Sequence, residues 1–292
     1  MTPITAVVTT FNNATTLRSC LESVKWANKI VVLDSFSTDE TCQIAADFSC
    51  VIKQHSFQGY SKQKQDAIDL ASHDWVLLLD ADEVLSDELI EEIQTTLKAG
   101  PKHSGYTMPR IEQLFWKMNH PGTRLNAFLR LFNRQAGRMN EKPVHESFEV
   151  DGSVGKFQAG FYHFSGLTVD VQVEKINRYS TLSVEEKSRK RKSISPWVMV
   201  FYPPLYFLKS FVMKRNFLNG WAGLIGSVCM TFYAFLKYAK LYEHFQHERY
   251  GTSLIPELHP ENIAARKANE PCQFEKDLAD QATLDHQKKR VA

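Results

Sequence analysis

Apolar positions follow two rhythms along this chain. In the first third, short β-branched runs alternate with stretches whose apolar residues recur every three or four positions, as strands alternating with helices do. Residues 4–11, Ile-Thr-Ala-Val-Val-Thr-Thr-Phe, predict a first strand. Leu17, Cys20, Leu21 and Val24 predict the helix face that follows. Ile30-Val31-Val32-Leu33 predicts a second strand ending at Asp34, and Ile44, Ala45 and Phe48 predict the next helix. Val51-Ile52 predicts a short third strand, and Ala67, Ile68, Leu70 and Ala71 give a helix after Gly59-Tyr60-Ser61. The fourth run, Trp75-Val76-Leu77-Leu78-Leu79, is apolar throughout, as a strand buried on both faces requires, and it ends in Asp80, Asp82 and Glu83. Such an order predicts an α/β fold with a Rossmann-like, mostly parallel sheet.

After a helix over 87–98 the runs shorten. Tyr106-Thr107-Met108 and residues 127–133 predict strands, and a helix is expected from Thr168 to about 192, with Val173, Ile176, Tyr179 and Leu182 on one side. That helix ends in Lys187-Ser188-Arg189-Lys190-Arg191-Lys192, a basic cluster of the kind that meets anionic head groups. An apolar segment over 196–208 follows, interrupted by Pro203-Pro204, and then an uncharged run from 217 to 236. The second run reaches the length of a span, about 20 residues. Its Asn219, Gly220, Gly223, Gly226, Ser227 and Thr231 keep it only modestly apolar, and Trp221, Phe232, Tyr233 and Tyr238 are interfacial types. Helices lying in the membrane surface are the favoured expectation; a span or burial against the preceding domain are the alternatives. Residues beyond 245 are polar, with Pro256, Pro260 and Pro271, and read as a loosely packed tail. The division expected is a domain over 1–167, a helical basic and aromatic membrane-associating region over 168–245, and the tail over 246–292.

Charge excludes one class of partner. With 35 Lys and Arg against 33 Asp and Glu, a net charge of +2 is not the strongly basic footprint of a dedicated nucleic-acid binder. Five cysteines without a C-x-x-C pair suggest neither a disulfide framework nor a zinc site and fit a reducing cytosol. The chain enters a strand-like run at once, so nothing at its start is expected to direct export.

The chemistry is concentrated at strand ends. Side chains alternate along a strand, so Asp80 and Asp82 project to one side. Two hard oxygen ligands so placed suit Mg²⁺ or a similar cation that also holds phosphate oxygens. Acids here could instead serve the next helix, for which Ser86-Asp87-Glu88 has the look of a start. Thr9 and Thr10 end the first strand and Asp34 the second, so these should gather at the same sheet edge. Neither G-x-G-x-x-G nor G-x-x-x-x-G-K-[ST] occurs in the first α/β unit, so a diphosphate would rely on a metal and on bases such as Lys64, whose alternative is a solvated helix face.

Taken as an ordered set, Val7-Val8-Thr9-Thr10-Phe11-Asn12, Leu33-Asp34-Ser35-Phe36-Ser37-Thr38-Asp39-Glu40-Thr41, Lys62-Gln63-Lys64 and Leu79-Asp80-Ala81-Asp82-Glu83 resemble family 2 glycosyltransferases of the GT-A fold. Within that family the likeness is to bacterial lipopolysaccharide-core glucosyltransferases, over about residues 3–245. The resemblance implies that Thr9, Thr10 and Asp34 hold the nucleoside, that Lys64 and Asp80 lie by ribose and phosphates, and that Asp82, with Asp80, holds Mg²⁺ or Mn²⁺. It points to Glu146, in Val144-His145-Glu146, as the base that deprotonates an acceptor hydroxyl in an inverting displacement, with Asp151 as a fallback. His145 is a candidate phosphate, metal or acceptor contact, and Arg130 and Arg134 are candidate phosphate or acceptor contacts, though a structural ion pair is the expectation for at least one of the two. His163, among Phe161, Tyr162 and Phe164, reads as a hydrogen-bonded core histidine rather than a ligand. Phe36 stands where the family often has glycine.

The implied activity is transfer of a hexose, glucose from UDP-glucose, to a lipid-linked saccharide such as the lipopolysaccharide inner core. The implied place is the cytoplasmic face of the bacterial inner membrane, with peripheral or monotopic attachment. Two rivals remain at this point: a haloacid-dehalogenase-type phosphatase using Asp80-Ala81-Asp82, and a membrane-docked scaffold that keeps the fold without turnover.

Overall fold

The computed structural model describes residues 2–140, 147–164, 168–191 and 193–250. The first part runs β1 (Ile4–Thr10), α1 (Ala14–Val24), β2 (Lys29–Asp34), α2 (Thr41–Asp47), β3 (Val51–Gln54), α3 (Tyr60–Asp69) and β4 (Trp75–Asp80). β3, β2, β1 and β4 lie side by side in that order and all pair parallel. The chain therefore moves outward from β1 to β3 and returns to the other side of β1. Its direction of winding reverses between β1 and β4, and a crevice opens outside their carboxyl ends, where such sheets bind ligands.

A short β5 (Glu83–Leu85) leads to α4 (Asp87–Ala99). The expected start is the observed one, with Ser86 Oγ accepting from Leu89 N at 3.2 Å and Asp87 and Glu88 in the first turn. β6 (Gly105–Leu114), the two-residue β7 (Lys117–Met118) and β8 (Ala127–Asn133) then extend the sheet, with β8 antiparallel to both β4 and β6. β9 (Gly137–Met139) and β10 (Phe148–Val150) form a separate hairpin, β11 (Val154–Lys156) flanks β6, and β12 (Phe161–His163) lies between β6 and β5.

Two apolar layers sandwich the sheet. Ile4, Ala6, Val8, Leu77 and Leu79 meet α1 and α4 on one face through Leu17, Leu21, Leu89 and Ile93. Val7, Val31, Val76 and Leu78 meet Ala67 and Ile68 of α3 and the Phe132–Phe148 ring pair on the other. This double burial explains the uninterrupted apolar runs of β1 and β4.

The C-terminal part is helical: α5 (Val169–Lys190), α6 (Trp197–Leu208) with a widened turn to Met213, and α7 (Gly220–Tyr250). Contrary to the expected interruption, α6 continues through Pro203 and Pro204. The prolines remove only the donors due to the carbonyls of Met199 and Val200, in the first turn of a largely exposed helix, so the break is local. Asn219, just before α7, fastens it to the loop between β7 and β8: its Oδ1 accepts from His120 N at 2.7 Å and its Nδ2 donates to Thr123 Oγ1 at 3.0 Å. Among the described residues one helix, Asn216–Glu248, is long and apolar enough to cross a membrane by length and composition.

Candidate active site

The crevice at the carboxyl ends of β1 and β4 is built around Asp80. Register places Thr9 opposite Asp80, and Thr9 Oγ1 donates to Asp80 Oδ1 at 3.0 Å. Lys64, on α3, reaches across from the helix face that packs on the sheet and donates to Asp80 Oδ2 at 3.0 Å. Its side chain is 8% exposed, so it is not a solvated face residue. Arg130, from β8, donates to the same oxygen at 3.2 Å and to Glu83 Oε1 at 2.5 Å, while Glu83 Oε2 accepts from Asp80 N at 3.2 Å. Burial alone would raise the Asp80 carboxyl, but the charges of Lys64 and Arg130 outweigh it and hold the group well below the usual carboxylate range. Glu83, fully buried, goes the other way: desolvation raises it despite Arg130. The result is a set of charges fixed before anything binds, with Asp80 a third exposed towards the crevice.

Asp82 lies two residues on and faces His163 instead, with 3.3 Å between Asp82 Oδ2 and His163 Nε2. His163 is hydrogen-bonded, as expected, and its partners are carboxylates at the crevice. β12 runs parallel to β6 with His163 opposite Glu112, and His163 Nδ1 lies 2.7 Å from Glu112 Oε2. Arg110 in turn holds Glu112, with Nε donating to Oε1 at 2.7 Å, and its guanidinium sits 4.1 Å from the Phe128 ring centroid. Burial would lower the His163 pKa, but Asp82 and Glu112 outweigh it and push it up to about 9.

Asp82 and His163 are residue types that suit a divalent cation, which would have to displace the proton that Asp82 and Glu112 hold on the imidazole. Among the described residues no group of three or more potential protein ligands forms, so most positions would be left to phosphate oxygens and water.

The end of the crevice beside β1 and β2 is bounded by two tied loops. Asn12 N donates to Ser37 Oγ and Thr38 N to Asn12 Oδ1, each at 2.8 Å. Asp34 is fully buried and acts on the second loop, accepting from Ser37 N at 2.9 Å, from Ser37 Oγ and from Gln54 Nε2 at 3.0 Å. Thr10, also buried, donates to Asn13 Oδ1 at 3.5 Å. Phe36 has φ +62°, which accounts for the family's glycine at that turn. Its ring and that of Phe11 are more than half exposed.

Glu146 and His145 lie outside the described residues. Their neighbours on either side are held against α3, one helical turn or less from Lys64: Met139 N donates to Gln65 Oε1 at 2.9 Å, Ser61 Oγ donates to Asn140 O, and Asn140 N donates to Ser147 O at 2.9 Å. Asp151 lies elsewhere. It precedes Gly152, which abuts Ser104, and Gly105 pairs with Phe132 near the amino end of β4, so Asp151 sits at the sheet edge opposite Asp80. Arg134 N donates to Asp74 O at 2.8 Å, at that same far edge. Sequence reasoning missed Glu112 and the place of His163 beside Asp82; the alternation Arg110-x-Glu112 on a strand was the available signal for the former.

A parallel 3-2-1-4 sheet continued by an antiparallel strand, with paired acids at its switch point, defines a GT-A fold. The chain belongs to glycosyl transferase family 2, whose model matches residues 5–158. It is 32% identical over 249 residues to the lipopolysaccharide core biosynthesis glycosyltransferase LpsC of Rhizobium meliloti (strain 1021), covering 82% of this chain and 92% of that one. It is 31% identical over 258 residues to an uncharacterized glycosyltransferase of Rickettsia felis, covering 83% and 90%. Among solved structures, S. aureus TarS 1–349 in complex with UDP aligns over 86% of this chain and 92% of that chain, at 14% identity and a TM-score of 0.42. The protein is therefore a glycosyltransferase, and the phosphatase reading falls: Asp80 ends the fourth strand and both its oxygens are already bonded.

Proposed function

We propose that this glycosyltransferase transfers a hexose, glucose from UDP-glucose, with inversion to a lipid-linked acceptor such as the lipopolysaccharide inner core. The observation that carries the reading is the convergence of Thr9, Lys64 and Arg130 on Asp80 beside the Asp82–His163 pair. It gathers cationic groups, and beside them residue types that suit a divalent cation, where the diphosphate of a nucleotide sugar would lie. The name of the Rhizobium relative supports the acceptor class.

In this mechanism the Phe11 and Phe36 loops receive the nucleoside. Asp80, kept ionised by its partners, orients Lys64 at the edge of the diphosphate and fixes the ribose end. Asp82 and His163 would hold Mg²⁺ or Mn²⁺, which when bound neutralises charge developing on the leaving diphosphate. Glu146 takes the proton of the attacking hydroxyl. His145 is a contact for acceptor or phosphate. The place of action is the cytoplasmic face of the inner membrane.

The test is incubation with UDP-sugars, Mg²⁺ or Mn²⁺, and acceptors extracted from core-deficient membranes. UDP-glucose should be consumed in a metal-dependent reaction with glycosylated acceptor as product. Glu146→Gln should lose at least about a hundredfold in turnover while still binding UDP; retained turnover would remove Glu146 from the role.

A further inference from the structure

We infer that α6, α7 and the β6–β7 hairpin tip form a one-sided docking face that lies in the plane of an anionic lipid bilayer, without crossing it. The inference rests on the reading of a lipid-linked acceptor and specifies how the protein reaches it.

α7 is dressed the wrong way round for water. Trp221, Val228, Phe232 and Phe235 are exposed, and their spacing of seven, four and three residues puts them on one stripe. The buried positions Ser227, Ala234 and Leu241 recur every seven residues on a stripe about 120–160° away, at 3.6 residues per turn. Over the first four turns the small Ser227 and Ala234 thus face protein, while Trp221, Val228, Phe232 and Phe235 face out. α6 repeats the pattern, with Trp197, Phe201, Leu205 and Leu208 exposed along one side. The catalytic sheet contributes as well. Leu114 and Phe115, at the end of β6, border Gly226 of α7, and the adjoining Trp116 is 67% exposed. An exposed apolar surface of this extent marks an interaction site.

Charge selects the occupant. From Lys187 to Tyr242 the sequence holds no acidic residue, whereas Arg191, Lys209, Lys214, Arg215, Lys237 and others are basic. A protein partner matched only to the apolar stripe would not require this bias; a bilayer of anionic head groups does, and exposed tryptophans belong at its interface.

Geometry argues against a span. α7 is tied to the rest of the protein at three points: by Asn219 to His120 and Thr123 at its start, against Leu114 and Phe115 at Gly226, and by Lys240 Nζ to Asn177 Oδ1 of α5 at 2.7 Å near its end. A helix so attached cannot stand across hydrocarbon while the sheet remains in water. The donor-less carbonyls that Pro203 and Pro204 leave in α6 are tolerated at head-group depth and costly deeper.

The test is co-sedimentation of the full chain with phosphatidylglycerol and with phosphatidylcholine vesicles, alongside UDP binding in solution. Phosphatidylglycerol vesicles should bind it in a salt-sensitive way, and alkaline carbonate should release it. Phe201→Ser with Trp221→Ser should weaken binding on the order of tenfold or more, as should Lys209→Gln with Arg215→Gln, with UDP binding unchanged in both. Equal binding to neutral vesicles, resistance to carbonate, unchanged sedimentation of the variants, or a dimer formed through this face without lipid binding would each overturn the inference. Failure of wild-type protein to bind UDP would instead strike at the transferase reading.

Discussion

α4 and α7 are helices of one chain built for different surroundings. α4 is capped by Ser86, carries acids in its first turn and Lys98 in its last, and buries Leu89, Ile93 and Leu97 completely. α7 buries Ser227 and Ala234 and displays Trp221 and Phe232. The apolar stripe alone would have assigned both to a protein core. What separates them is which stripe the rest of the fold covers, and that is a property of topology rather than of local pattern.

The charged groups divide in the same way, and this gives the largest expected effect. Arg130→Met would leave the carboxylates of Asp80 and Glu83 facing each other in a buried site, and should cost about 3–5 kcal/mol in urea unfolding. The exposed Lys209→Met should change stability by less than about 0.5 kcal/mol. Equal costs would mean that the buried cluster is not what holds the crevice together.

The apolar residues supply the next contrast. Ile93→Ala should destabilise by about 2–5 kcal/mol, the range for emptying a packed core site. Phe232→Ala should stay within about 0.5 kcal/mol in solution. If Phe232 proved as costly as Ile93, its ring would be covered in solution and the two helices would be alike after all.

A smaller change sharpens the comparison within the crevice. Glu112→Gln keeps the shape of the side chain but weakens its hold on His163, so Mn²⁺ affinity in the presence of UDP, followed by electron paramagnetic resonance, should fall about 10–100-fold. Thermal stability and vesicle binding should remain near wild type. An unchanged Mn²⁺ affinity would detach Glu112, and with it the orientation of His163, from metal binding.

Much of the nucleotide half was legible because parallel strands covered on both faces leave long apolar runs, and their ends must share one edge. That rule alone brought Thr9, Asp34 and Asp80 together, and Lys64 followed from the helix leading into β4. His163 was not legible for an equally physical reason. Its strand has three residues, its neighbours are aromatic, and its partners Asp82 and Glu112 reach it only through the pairing of β12 between β5 and β6. The proline pair in α6 misled because proline's cost to a helix depends on whether the orphaned carbonyls can find water or head groups, which no dipeptide reports.

The left-handed turn at Phe36 has a consequence for how a ligand is met. A phenylalanine there is disfavoured by roughly 1–2 kcal/mol relative to an ordinary conformation, and the bonds from Ser37 to Asp34 keep it in place. A loop already confined in this way surrenders little conformational entropy when something settles on it. The crevice therefore offers the backbone of this loop in a ready conformation, and the disorder that binding would otherwise have to remove from it was removed when the chain folded.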